Sequence, residues 1–198
     1  GWVPVQSRNL IAAKPKVGKT IIGVSLHLAV SIGGYALGKY KCQQGDTLYL
    51  ALEGGEKRLK NTIKRLMAAY HINTLPDSFY HETKCLSLDN GGLAAIEAWC
   101  ERVKNPKLIT IDILQNFRPA VAKGQSVYDA DYASTQALKA IVEKYGVSIN
   151  FLHHANKRTA DGDMIDLISG SNGLAGGVDN TIIIIRPLRK KIGTIYRI

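Results

Sequence analysis

The stretch "RNLIAAKPKVGKTIIGV" constrains this chain more than any other. An apolar run from Arg8 to Ala13 stops at Lys14, Pro15, Lys16, Val17, Gly18, Lys19 and Thr20, and helical spacing begins at Ile21. Three lysines at the tip of a buried strand call for an anion. Strand, loop with Gly-Lys-Thr, then helix start is the order that a P-loop needs, with Ala13 in place of its usual first glycine. Backbone N–H groups of such a loop, together with the positive end of the helix, wrap a phosphate. Ala13 to Ile21 are therefore the candidate nucleotide-binding residues. Gly18 permits close backbone approach, Lys19 would reach the β- and γ-phosphates, and the Thr20 hydroxyl would ligate Mg²⁺.

The rest of the chain alternates between two periodicities. Short apolar runs predict strands over 8–13, 46–53, 77–84, 107–112, 147–154, 180–186 and 193–198. Helical spacing falls at 20–34, 56–70, 92–105 and 129–146, with polar loops over 116–128 and 155–172. In the second helix Leu59, Ile63, Leu66, Met67 and Tyr70 share a face, with lysines and arginines opposite. Strand and helix in alternation predict an α/β fold: a mostly parallel central sheet flanked by helices, ending in a C-terminal β-hairpin. Residues 1–198 fit a single domain.

Composition limits the partners. A formal net charge of +10 favours polyanions, nucleic acid first. No apolar run approaches the roughly 18 residues of a membrane span, so no membrane partner is expected. Cys42, Cys85 and Cys100 form no CxxC pair, which predicts structural thiols in a reducing cytoplasm and no zinc site.

Three further groups sit where phosphate chemistry would use them. Asp112 ends the apolar run "LITID" and is the candidate second metal-side carboxylate. Glu53 follows "LYLAL", at the strand end where ligands of parallel sheets bind, and could orient or deprotonate an attacking water. It would equally suit the positive end of the next helix. His153 and His154 end "VSINFLHH" and suit a polar group sensing the γ-phosphate; a structural role is the plainer reading for a single histidine.

Taken together, "AAKPKVGKT", "LYLALEGGEKRL", "LITIDILQ", "FLHHANK" and "SGSNGLAGGVDNTIIIIR" resemble the RecA-like hexameric ATPases, most closely the RepA-type replicative DNA helicases. The pieces occur in family order along almost the whole chain. The resemblance implies a RecA-like P-loop core that uses ATP and Mg²⁺, self-associates into a ring, a hexamer by family habit, and encircles single-stranded DNA. It implies Lys19 and Thr20 on phosphate and Mg²⁺, Asp112 beside the metal, Glu53 as catalytic carboxylate and His154 as sensor. Loops 116–128 and 155–171 would face DNA, offering Arg118, Lys123, Lys157 and Arg158 to its phosphates. A neighbouring subunit would supply an arginine finger, for which Arg186 and Arg189 are the candidates. The same residues also suit a filament-forming recombination ATPase, or a nucleotide-dependent binding module with little turnover.

Overall fold

The computed structural model of the chain describes residues 2–121, 123–155, 172–185 and 193–197. Strand β1 (Arg8–Ala13) leads to helix α1 (Lys19–Ser31), then to a small hairpin of β2 (Tyr35–Ala36) and β3 (Tyr40–Lys41). Strand β4 (Asp46–Ala51), helix α2 (Gly55–Ala69) and strand β5 (Phe79–Glu82) follow. Next come α3 (Gly92–Arg102), β6 (Pro106–Asp112), α4 (Val127–Ala137), α5 (Lys139–Tyr145) and β7 (Ser148–His154). The described chain closes with α6 (Asn172–Gly176), β8 (Asn180–Ile185) and β9 (Thr194–Arg197).

Seven strands form one sheet in the order β5-β4-β6-β7-β1-β8-β9. Every pairing is parallel except β8 with β9, the expected C-terminal hairpin. The central strands read as near-continuous apolar runs because both of their faces are covered. Alternate residues serve the two layers. On one face Leu10, Ile109, Ile111 and Phe151 pack with Ile96, Trp99, Ile141 and Val142 from α3 and α5. On the other, Tyr49 and Phe79 pack with Val24 and Leu28 of α1 and with Leu59 and Ile63 of α2.

A polar row crosses this core. Asn9, Asn150 and Thr110 lie in register on β1, β7 and β6, and their side chains join by hydrogen bonds of 3.1 and 3.3 Å. His27 of α1 completes the row, its Nε2 lying 2.7 Å from the Thr110 hydroxyl. The imidazole is fully buried, and that burial pushes its pKa down to about 3.

The structure departs from the sequence reading at four places. Strand β4 ends at Ala51, because the next two N–H groups, of Leu52 and Glu53, both turn to the Asp112 carbonyl. The hairpin β2–β3 and the short helix α6 lie in segments whose sequence shows no strand or helix period. The helix expected over 129–146 starts at Val127, where Ser126 accepts from the Asp129 N–H, and is interrupted at Leu138. At the interruption the Thr135 carbonyl accepts from the Arg8 guanidinium at 3.5 Å, while the Ser134 hydroxyl bonds back to the Ala130 carbonyl. Such back-bonding loosens helices. One buried face runs across the break, with Leu138, Ile141 and Val142 buried and Tyr145 partly buried against the same core. Among the described residues no helix is long and apolar enough to cross a membrane.

The buried neutral histidine gives stability a pH dependence of definite sign. An unfolded His27 takes up a proton below about pH 6.5, whereas the folded one stays neutral down to about pH 3. This contribution is complete above pH 6.5 and is lost as pH falls through that window. Urea unfolding from about pH 5.5 to about pH 4.5 should give a slope about 1.4 kcal/mol per pH unit shallower in His27→Phe than in the parent chain.

Candidate active site

The sheet order brings the C-terminal ends of β1, β4, β6 and β7 side by side, and the loops leaving β1 and β4, helix α2 and His154 at the tip of β7 line a cleft of about 690 Å³. The loop after β1 turns through Lys16 at φ +65° and Gly18 at φ +119°. The second value lies where side chains other than glycine's are strained. A Cβ on Gly18 would meet nothing within 4 Å, so backbone conformation rather than space requires glycine there. Gly18 is the N-cap of α1 with no side-chain cap, which leaves the first N–H groups of the helix to a ligand.

Ala13 is the last residue of β1 and is buried among Ile11, Ile113, Leu152 and Ile184. Its methyl group belongs to the core, so the departure from glycine at this position costs the loop nothing. Its carbonyl accepts from the Lys19 ammonium at 2.9 Å and from the Ala155 N–H at 3.0 Å.

Lys19 is 7% exposed, and its ammonium also lies 3.0 Å from His154 Nδ1. Burial lowers its pKa, opposed by the charges of Asp112 and Glu53. Beside an ammonium, Nδ1 must accept, so the proton of a neutral His154 is on Nε2. That nitrogen lies 3.2 Å from both Glu53 oxygens and donates to them. Lys19, His154 and Glu53 thus form one hydrogen-bonded chain across the cleft.

Asp112, at the tip of β6, is 1% exposed. Its Oδ2 accepts from the Thr20 hydroxyl at 2.8 Å and from the Tyr49 hydroxyl at 2.7 Å. Burial raises its pKa, and these two donors work against the rise. A hydroxyl and a carboxylate are hard oxygen donors, the set that suits a Mg²⁺ ion which keeps most of its own water and takes phosphate oxygens. Thr20 and Asp112 fit that ion. No cluster of three or more His, Cys, Asp or Glu suited to another metal occurs among the described residues.

Residues 1–160 match the AAA domain family. The chain belongs to that family. No curated protein sequence matches it. Among solved structures it is similar to one described as an ATPase domain, with a TM-score of 0.68 and 16% identity over 91% of this chain and 70% of that one. It is also similar to a DnaB-like replicative helicase described with its interactions with primase, with a TM-score of 0.71 and 15% identity. That match covers 98% of this chain and 54% of the helicase, so the chain spans about half the helicase's length. The shared fold is the RecA-like core expected from the sequence.

Within this AAA domain, Lys16, Gly18, Lys19, Thr20, Ile21, Glu53 and His154 line the cleft. Lys14 and Pro15 are exposed on the loop and Val17 is half-buried. His153, adjacent to His154 and also half-buried, has its pKa pushed down to about 4 by burial and then by nearby positive charges, so it is neutral at pH 7.

The expected DNA-facing residues separate. Lys123 is exposed. Arg118 is drawn inward onto Asp131 at 3.2 Å, the two side chains being 12% and 4% exposed. Lys157, Arg158, Arg186 and Arg189 lie outside the described residues.

Sequence reading misses two features. Lys57, Arg58, Asn61 and Arg65 of α2 form a wall of the cleft; their helical spacing opposite Leu59 and Ile63 is the available signal. Tyr49 is hidden because its run reads as uniform core. Breaking the buried Arg118–Asp131 pair should be costly, since it leaves a charge uncompensated. Asp131→Ala is expected to lower the free energy of unfolding by about 3 kcal/mol or more, measured by chemical denaturation.

Proposed function

We propose that this AAA domain is the ATP-hydrolysing motor of a ring-forming DNA helicase of the RepA type, coupling Mg²⁺-dependent hydrolysis to movement along single-stranded DNA. The observation that carries the reading is the meeting of Lys19, Thr20, Glu53 and His154 at one cleft, with the buried Asp112 bonded to Thr20 behind it, although these residues come from four different strand ends. Similarity to the solved ATPase domain and to the replicative helicase, together with the net charge of +10, supports the DNA-directed half of the proposal.

The residues divide the chemistry between them. Loop N–H groups and Lys19 hold the phosphates, and Lys19 offsets charge gathering on the γ-phosphoryl group. Glu53 orients a water molecule in line with the γ-phosphorus and takes its proton. The water oxygen bonds to phosphorus, the bond from phosphorus to the β–γ bridging oxygen breaks, and ADP and inorganic phosphate leave. Mg²⁺, when held through Thr20 and Asp112, supplies further neutralisation of the phosphate charge.

His154 joins Lys19 to Glu53, so a triphosphate that recruits Lys19 alters the histidine's contacts. That change passes to the segment after β7, the proposed DNA-facing loop with Lys157 and Arg158. Lys123 would add a phosphate contact, and Arg186 or Arg189 would reach the site of the next subunit.

Lys19→Ala should reduce ATP turnover to background while circular dichroism stays unchanged; unaltered turnover would remove the scheme. Glu53→Gln should retain ATP binding and slow hydrolysis about 100-fold or more. If hydrolysis stays normal, Glu53 is a helix-end acid only. Single-stranded DNA should stimulate steady-state ATPase. The DNA concentration for half-stimulation should rise about 10-fold or more between about 50 and about 200 mM salt, as multiple phosphate contacts require. Absence of stimulation would favour the binding-module reading.

A further inference from the structure

Tyr49 lies outside the set of residues that phosphate chemistry would nominate, yet its hydroxyl ends on the metal-side carboxylate. It occupies the middle of β4 with no exposed surface, its ring packed under α1. The hydroxyl donates at 2.7 Å to Asp112 Oδ2, the same oxygen that accepts from Thr20. A tyrosine hydroxyl is a poor choice for an apolar core unless it meets a partner. Here its partner is a buried carboxylate.

The helix above is shaped for this ring. Gly23 stands one turn after Lys19 on α1, and a Cβ there would come within 3.0 Å of Tyr49 Cε2 and 3.1 Å of the hydroxyl. Glycine in the middle of a helix is unfavourable relative to alanine, so its presence calls for a reason. Close approach of the ring provides one.

From this geometry we infer that Tyr49 is a positioning residue for the metal, acting through Asp112; the inference rests on the nucleotide site proposed above. Oδ2 has two donors, Thr20 and Tyr49. A Thr20 hydroxyl that ligates the metal through an oxygen lone pair keeps its proton to donate. Tyr49, held by the core, is the second donor on Oδ2; it fixes the plane of the carboxylate and would leave Oδ1 to the metal's water shell. Hydrogen bonds to a ligating group tune metal sites in this way, and their loss typically weakens metal affinity about 10-fold to 100-fold.

The test is a binding measurement that needs no turnover. Fluorescent mant-ADP is titrated into the parent chain, Tyr49→Phe and Gly23→Ala, first in EDTA and then at stepped Mg²⁺ concentrations, with thermal unfolding recorded for each. Tyr49→Phe removes only the hydroxyl. Gly23→Ala favours the helix but displaces the ring, so it examines the same contact if Tyr49→Phe does not fold.

The expected result is unchanged affinity in EDTA and a Mg²⁺ requirement for tighter binding raised about 10-fold or more in either variant. Equal Mg²⁺ dependence in the variants and the parent overturns the inference. Weakened binding already in EDTA also overturns it, because Tyr49 would then support the loop at large. If the parent chain itself binds no nucleotide, the site proposal fails first and this inference with it.

Discussion

A buried ammonium is stable only where acceptors surround it, and the Lys19 ammonium finds them on two different strands. The Ala13 carbonyl comes from β1 and His154 Nδ1 from β7, and these strands pair in parallel with Ala13 opposite His154. The lysine therefore depends on the strand register as much as on its own loop. A slip of one residue would turn the imidazole to the opposite face of the sheet. Glu53 is linked to the same centre through His154, so Lys19, His154 and Glu53 form one connected unit.

Asp112 unites the other half of the site. Its carbonyl takes the N–H groups of Leu52 and Glu53, ending β4 and setting where the glutamate leaves the strand. Its carboxylate takes the hydroxyls of Thr20 and Tyr49, joining α1 and β4 to β6. One residue thus serves both the local fold and the proposed metal site. The cost is a carboxylate whose burial raises its pKa, and the two hydroxyl donors act against that rise.

The polar row of Asn9, Asn150, Thr110 and His27 runs through the sheet away from the cleft. Apolar strands packed on both faces discriminate weakly between registers, because many shifted pairings bury similar surface. Side chains that need particular hydrogen-bond partners penalise those alternatives. The row and the Ala13–His154 pairing lie on the same strands, so specifying one register serves the other.

Several features follow from local sequence alone. Gly18 before Lys19 and Thr20, placed between an apolar run and helical spacing, determines a phosphate-type loop because its backbone and helix-end chemistry are local. The alternation of apolar strands with amphipathic helices determines the α/β layering, and Asp112 and Glu53 are legible as carboxylates at strand ends. Tertiary structure decided which strand ends meet. It turned Arg118 inward onto Asp131, made the α2 lysine and arginines a wall of the cleft, and aimed Tyr49 at Asp112. These depend on contacts between residues distant in the chain, for which period and composition carry no signal: a tyrosine in an apolar strand reads as core until the carboxylate facing its hydroxyl is known.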